Sequence, residues 1–273
     1  MNKRIIIYFS LIISSCNDYQ ADSDHIPQRT NPIQSDFNPV TLDEFGVPAQ
    51  NTDQLLEYSS FNIGYEYHSK QAAWVGYALQ PEMVRVVNVR EDSFKEELLI
   101  PQEYRATLAD YSNSGFQRGH LAPNATLDHT DFSMSETFYL SNISPQKMDF
   151  NQFGWRDLET YVRNCVDNYQ DGQRVFVFTG PYFEGSLDSI GGSNLPVPTG
   201  FYKVIYEFND LNASALGFIA PHDDFDFSKA QQYLRSVDFI EVLTGLDFGV
   251  NIPEDLENQL ESKVSPVCEL PSD

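Results

Sequence analysis

The chain has 273 residues, 41% hydrophobic and 14% aromatic, which supplies a core and excludes global disorder. Lysine and arginine number 17 against 40 aspartates and glutamates, a net charge of −23 that excludes a protein coating nucleic acid with its whole surface. A locally basic site within an acidic body stays open, no apolar run reaches the roughly 20 residues of a membrane-spanning helix, and three cysteines are too few for a disulfide scaffold.

At the N-terminus, Lys3 and Arg4 precede the short apolar run Ile5–Ile13, and the small residues Ser14 and Ser15 follow it. Residues 1–15 therefore read as a signal peptide for export. Ile13-Ser14-Ser15-Cys16 resembles a bacterial lipobox, which implies that Cys16 is lipidated and holds the protein to a membrane, periplasmic or at the cell surface. An ordinary secretory signal with an incidental cysteine is the other reading. Residues 16–55, rich in Asn, Asp, Gln, Pro and Ser, read as an acidic flexible tether. Residues 1–55 carry a net −4, so −19 belongs to the domain read from residues 56–273.

In that domain, 56–67, 72–78 and the β-branched 84–89 read as strands, and 91–114 as loop and turn. Further strands are expected at 137–143, 174–179, 201–208 and 215–220, the last two as a hairpin around Asn209 and Asp210. The strongest helix pattern is 152–169, where Trp155, Leu158, Tyr161, Val162, Cys165, Val166 and Tyr169 form one apolar stripe. Cys165 lies on that stripe and reads as a buried inert thiol, although a bridge to Cys268 is allowed in an oxidising compartment. Short helices are expected at 227–234 and 252–260. The fold class is α+β, a mixed, antiparallel-rich sheet flanked by helices.

Of five histidines, His25 lies in the tether, His68 and His129 read as solvated, and His222 sits in an acidic loop. His120 differs, because Arg118-Gly119-His120 joins a phosphate-binding fork to a group that accepts a proton near neutral pH. The glycine between them allows close approach of backbone to a ligand. Asn151, Trp155 and Glu159 recur at i, i+4 and i+8. An amide oxygen and a carboxylate are hard ligands suited to magnesium, and no zinc-type pair is present. On a regular helix Asn151 and Glu159 stand roughly 12 Å apart along the axis, which suits one direct ligand and one contact through water. Asn151 as a plain helix N-cap and Glu159 as a solvated carboxylate are the competing readings.

Arg118-Gly119-His120-Leu121-Ala122-Pro123, then Thr137 to Gln146, then Asn151 with Trp155 and Leu158-Glu159, resemble the DNA/RNA non-specific endonuclease family with its ββα-metal site. The likeness extends to Trp74-Val75, Arg90-Glu91-Asp92, Thr179-Gly180-Pro181, Phe201-Tyr202-Lys203-Val204 and Thr244-Gly245-Leu246. It implies a metal-dependent, sequence-non-specific phosphodiesterase acting on DNA or RNA, with Mg2+, or Mn2+ or another divalent ion, as cofactor. His120 matches the general base and Asn151 the metal ligand. Glu159 matches the carboxylate holding the metal's waters, Arg118 and Arg90 the phosphate contacts, and Asn142 a polar residue beside the histidine. One departure is Gln117, where the family has Asp; it implies altered activity rather than its loss. A lipid-anchored nuclease-fold binding module with little turnover is the alternative. The acidic body implies that the metal is the main local attractor for the substrate.

Overall fold

The computed structural model describes residues 42–43, 45–48, 52–85, 88–90, 92–169, 173–208, 212–265, 268 and 270–271. The signal segment, Cys16, most of the tether, Glu91 and the turn at Asn209 and Asp210 lie outside them. In chain order the strands are β1 (Gln54–Glu57), β2 (Asn62–Glu66), β3 (Gln71–Leu79), β4 (Gln117–His120), β5 (Ile143–Gln146) and β6 (Arg174–Tyr182). They continue with β7 (Ser189–Ile190), β8 (Leu195–Pro196), β9 (Gly200–Phe208), β10 (Ala213–Pro221) and β11 (Leu234–Arg235). The helices are α1 (Pro81–Arg85), α2 (Leu108–Tyr111), α3 (Asp131–Glu136), α4 (Arg156–Asp167), α5 (Val237–Thr244) and α6 (Glu254–Glu261).

Seven strands form an antiparallel sheet in the order β1-β2-β3-β6-β9-β10-β11. Its central strands are apolar on both faces because both are covered, and the period of two sorts their side chains. Trp74, Phe176, Phe178, Tyr202, Val204 and Tyr206 enter one core with Val237 and Ile240 of α5 and Leu260 of α6. On the other face the stripe of α4 buries Leu158, Val162, Cys165 and Val166. Phe201 of β9 meets Trp155 on that side at 5.6 Å between ring centroids. Lys203 falls at the next position of that register and is 0% exposed. A smaller core of Tyr111, Leu140, Ile143, Ile190, Leu195 and Val197 supports the separate pair β4-β5.

Several sequence expectations change. Of the expected strand 84–89, residues 84–85 instead close α1, Pro81–Arg85, 88–89 are in no strand, and 86–87 lie outside the described residues; α1 is started by a proline at a first-turn position and tied to α4 by the Arg85–Asp167 pair. The expected strand 137–143 is a 3-10 turn, Leu140–Asn142, leading into β5. Helix 227–234 is a kinked 3-10 segment, and α5 was not legible as a separate helix. The folded part begins before residue 56, since Leu42 and Phe45 are buried in the main core and Phe45 stacks on Phe176 at 4.6 Å. Cys165 is not a free thiol; it is bridged to Cys268.

Candidate active site

β4 and β5 pair in antiparallel register, with Arg118 opposite Pro145, Gly119 opposite Ser144 and His120 opposite Ile143. The chain then passes through a π-helical turn, Phe150–Trp155, into α4. This ββα unit brings four of the sequence-chosen groups to one place. A cleft of about 910 Å³ is lined by His120, Arg118, Arg90, Asn151 and Glu159, together with Gln117, Arg156 and Arg163.

Gly119 is required for a reason other than ligand approach. A Cβ there would lie 2.0 Å from the Gln146 side chain of the neighbouring strand. The glycine lets β4 sit tightly on β5 and so sets the position of His120. The ring of His120 packs 5.2 Å from that of Phe138 and 5.5 Å from that of Phe94, and the residue lines the cleft. Burial, reinforced by the Arg90 cation and opposed by Asp92, pushes its pKa down to about 3. The imidazole is therefore neutral across the physiological range, and its Nε2 has no hydrogen-bond partner among the described residues. Its main-chain carbonyl accepts from the Trp155 indole N–H at 3.3 Å.

Asn151 is neither an N-cap nor one turn of a regular helix from Trp155. It lies inside the π-turn, so the regular-helix separation from Glu159 does not apply. The wide turn lets Gly154 pass against the Phe225 carbonyl, which a Cβ would meet at 2.3 Å. Asn151 Nδ2 donates to Gln117 Oε1 at 2.7 Å. That bond commits the NH2 group and leaves Oδ1 as the amide's acceptor. Gln117 thus supplies an acceptor at the position where the resemblance leads one to expect a carboxylate.

Glu159 sits on the first turn of α4, and its Oε1 is buried without a hydrogen-bond partner among the described residues. Burial pushes its carboxyl up, while Lys203, Arg163, the Trp155 side chain and Arg90 pull it down. The unsatisfied Oε1 and the Asn151 amide are hard oxygen donors beside a neutral histidine, a set that fits a divalent ion retaining most of its waters.

Asn142 does not line the cleft. Buried, it accepts from the Ala122 N–H at 2.9 Å and donates to the carbonyls of Ala122 and Thr137 at 3.0 and 2.9 Å. It clamps the chain two residues beyond His120. Arg118 lies over Phe94 at 4.2 Å, and Arg90 pairs with Asp92 at 2.7 Å. Arg156 and Arg163 were not singled out from the sequence, although they share α4 with Glu159. The cleft wall carries four arginines and one carboxylate, so a polyanion meets cationic side chains there as well as any bound metal. His222, which follows Pro221 in the acidic loop, packs against the site. It is buried, its Nε2 accepts from the Lys147 N–H at 2.8 Å, and its Nδ1 lies 3.0 Å from the Pro198 carbonyl. The first bond requires an unprotonated Nε2, so Nδ1–H donates to Pro198, and the ring buttresses the entry to the Asn151 turn. His129 is half-buried rather than solvated, and burial pushes its pKa down.

The geometry agrees with three comparisons. A model of the family described as DNA/RNA non-specific endonuclease matches residues 38–255. Nuclease C1 of Cunninghamella echinulata var. echinulata is 38% identical over 203 residues, covering 69% of this chain and 79% of that protein. Mitochondrial endonuclease G of Homo sapiens is 34% identical over 224 residues, 77% of this chain and 74% of the relative. A chain of the solved EndoG/EndoGI complex superposes with a TM-score of 0.72 at 26% identity, over 84% of this chain and 96% of its own. A ββα unit carrying these residues in this order, with relatives along most of its length, places the chain in the DNA/RNA non-specific endonuclease family of phosphodiester-hydrolysing enzymes.

Proposed function

We propose that the protein is an exported Mg2+-dependent nuclease, held to a bacterial membrane by lipidated Cys16, that cuts DNA or RNA without reading sequence. The observation that carries the catalytic part is the convergence of one neutral histidine, two hard oxygen donors and four arginines on one cleft. Asn151 Oδ1 would hold the ion, with Glu159 Oε1 on its waters. When bound, the ion supplies Lewis-acid stabilisation of a non-bridging phosphate oxygen and of the leaving 3′ oxygen. His120 accepts the proton of the attacking water. A phosphate beside Arg90 offsets the cation that depresses the histidine, so the imidazole gains basicity as substrate arrives. Arg118, Arg90, Arg156 and Arg163 neutralise charge on the phosphoryl group and its neighbours. The roles rest on backbone-phosphate chemistry, with no part assigned to base edges.

Plasmid and RNA degradation by the purified protein, with Mg2+ or with EDTA, tests this reading. Cutting should require the ion. Asn151→Ala should lose activity that excess Mg2+ barely restores, whereas excess Mg2+ should recover part of the rate of Glu159→Ala, because its contact is indirect. Equal and unrescuable losses would make Glu159 a direct ligand. For the anchor, metabolic labelling with a fatty acid should mark the wild type and not Cys16→Ala; label independent of Cys16 removes the lipoprotein reading.

A further inference from the structure

Lys203 is a buried cation for which the mechanism above has no use. It lies on β9 opposite Thr179 of β6 and Phe218 of β10, is 0% exposed, and its Nζ has no hydrogen-bond partner among the described residues. Its flanking residues on the same face, Phe201 and Ile205, are buried and apolar. A lysine at such a position is costly unless its charge is matched. Two neighbours match it. The Trp155 ring lies 4.5 Å from Nζ, and Glu159 stands one helical turn beyond Trp155 on α4, its Oε1 buried, like Nζ, without a hydrogen-bond partner among the described residues; it is also the charged group that most favours the ammonium form. In return, Lys203 is the strongest of the cations acting on Glu159. The other cations near Glu159, Arg163 and Arg90, act on it less than Lys203 and also line the cleft. Arg163 donates to Thr126 and Thr160, and Arg90 pairs with Asp92. Trp155 is shared as well, since its indole N–H holds the His120 carbonyl.

We infer that Lys203 is a positioning residue: its buried ammonium is the counter-charge that holds the Glu159 carboxylate in place behind the cleft, with Oε1 free for the hydration shell of a divalent ion. A direct salt bridge would consume the oxygen the ion's waters need. A cation that attracts without a hydrogen bond stabilises the carboxylate and leaves that oxygen unspent. Lys203 touches neither substrate nor ion. The inference rests on the proposed role of Glu159 and adds the group that sustains it.

A double-mutant cycle of Lys203→Met and Glu159→Gln tests it, read by Mn2+ binding in electron paramagnetic resonance without nucleic acid, and by thermal unfolding. Lys203→Met should weaken Mn2+ binding about tenfold. In the Glu159→Gln background, where the carboxylate charge is already gone, the same change should shift binding by less than about twofold, whereas independent sites would repeat the roughly tenfold loss. In unfolding, Lys203→Met should lower the midpoint, because it strands a buried carboxylate, and adding Glu159→Gln should recover most of that loss. If Lys203→Met does not fold, the double variant should. Unchanged Mn2+ affinity in a folded Lys203→Met, additive losses in the cycle, or a double variant that stays unfolded would overturn the inference while leaving the nuclease reading intact. A wild type that neither binds Mn2+ nor cuts with it would instead overturn the metal reading, and this role with it.

Discussion

Beside Phe94 and Phe138, burial and the Arg90 cation push the His120 pKa down from the ordinary 6.5 to about 3. A lowered pKa means that the proton-accepting form persists to low pH. At saturating metal, kcat/KM should therefore show no acid limb near 6.5, and a limb there would show the ring titrating as if solvated. His120→Ala should lose at least about a hundredfold in turnover, the usual contribution of a general base, while substrate still binds to the arginines. Gln117 works at the same scale through the 2.7 Å bond from Asn151. Gln117→Ala frees that amide to rotate and should cost roughly 10–100-fold in metal affinity. Gln117→Asp keeps the acceptor and adds charge, so metal affinity should be retained or improved, as measured by the Mg2+ dependence of cleavage.

At the scale of elements, β4 and β5 are two short strands whose pairing sets where Arg118 and His120 stand. Gly119→Ala forces a Cβ into the Gln146 side chain, 2.0 Å away, so that buried side chain or the strand carrying it must shift. The expected cost is about 1–3 kcal/mol, typical of overpacking, with a fall in kcat as His120 moves. Adding Gln146→Ala removes the clashing atoms and should recover part of both, as read by thermal unfolding and turnover. The π-turn is the second device. It was invisible to a 3.6-residue pattern because that pattern assumes a regular helix, whereas the turn exists where Gly154 packs against Phe225. Likewise, β-branched residues after Pro81 suggested a strand. A proline in the first turn and the burial of Met83 and Val84 overrode that propensity.

Across the whole molecule the charge is segregated: a net −23 coexists with a cleft of four arginines and one glutamate. Acidity collects around α5 and α6, where oxygens of Asp238, Glu241 and Glu261 lie within 4.8 Å of one another. Burial and like charges push Glu241 up to about 7 and Glu261 up to about 8, while the hydroxyl of Tyr206 donates to Glu261. Raised carboxyl values mean that the folded state binds these protons more tightly than the unfolded chain. Their stabilisation is complete below the ordinary value of 4.5 and is lost as pH rises through 7 and 8. The depressed histidines, His120, His129 and His222, give the opposite slope below 6.5. The carboxyl effect is thus isolated in the difference between wild type and a Glu241→Gln, Glu261→Gln variant. The variant's melting midpoint should gain on the wild type as pH rises from 5 to 8; a constant difference would contradict the assignment. The Cys165–Cys268 bridge closes 103 residues of sequence. Its reduction, or Cys165→Ser with Cys268→Ser, should cost about 2–5 kcal/mol in denaturant unfolding.

Local pattern sufficed where local chemistry decides. The stripe of α4 and the antiparallel-rich α+β class were legible from residue type and spacing, and the grouping of His120, Arg118, Asn151 and Glu159, which line one cleft, from the family resemblance. Tertiary structure alone decided the rest. Asn142 became a clamp, Gly119 a spacer against Gln146, and His222 a buttress, since each depends on a partner distant in sequence. The basic cleft came from arginines scattered between residues 90 and 163, whose proximity no composition reveals. Lys203 and Glu159 lie on different elements, and only the packing of α4 on β9 removes the water that would otherwise screen them, making their mutual attraction matter.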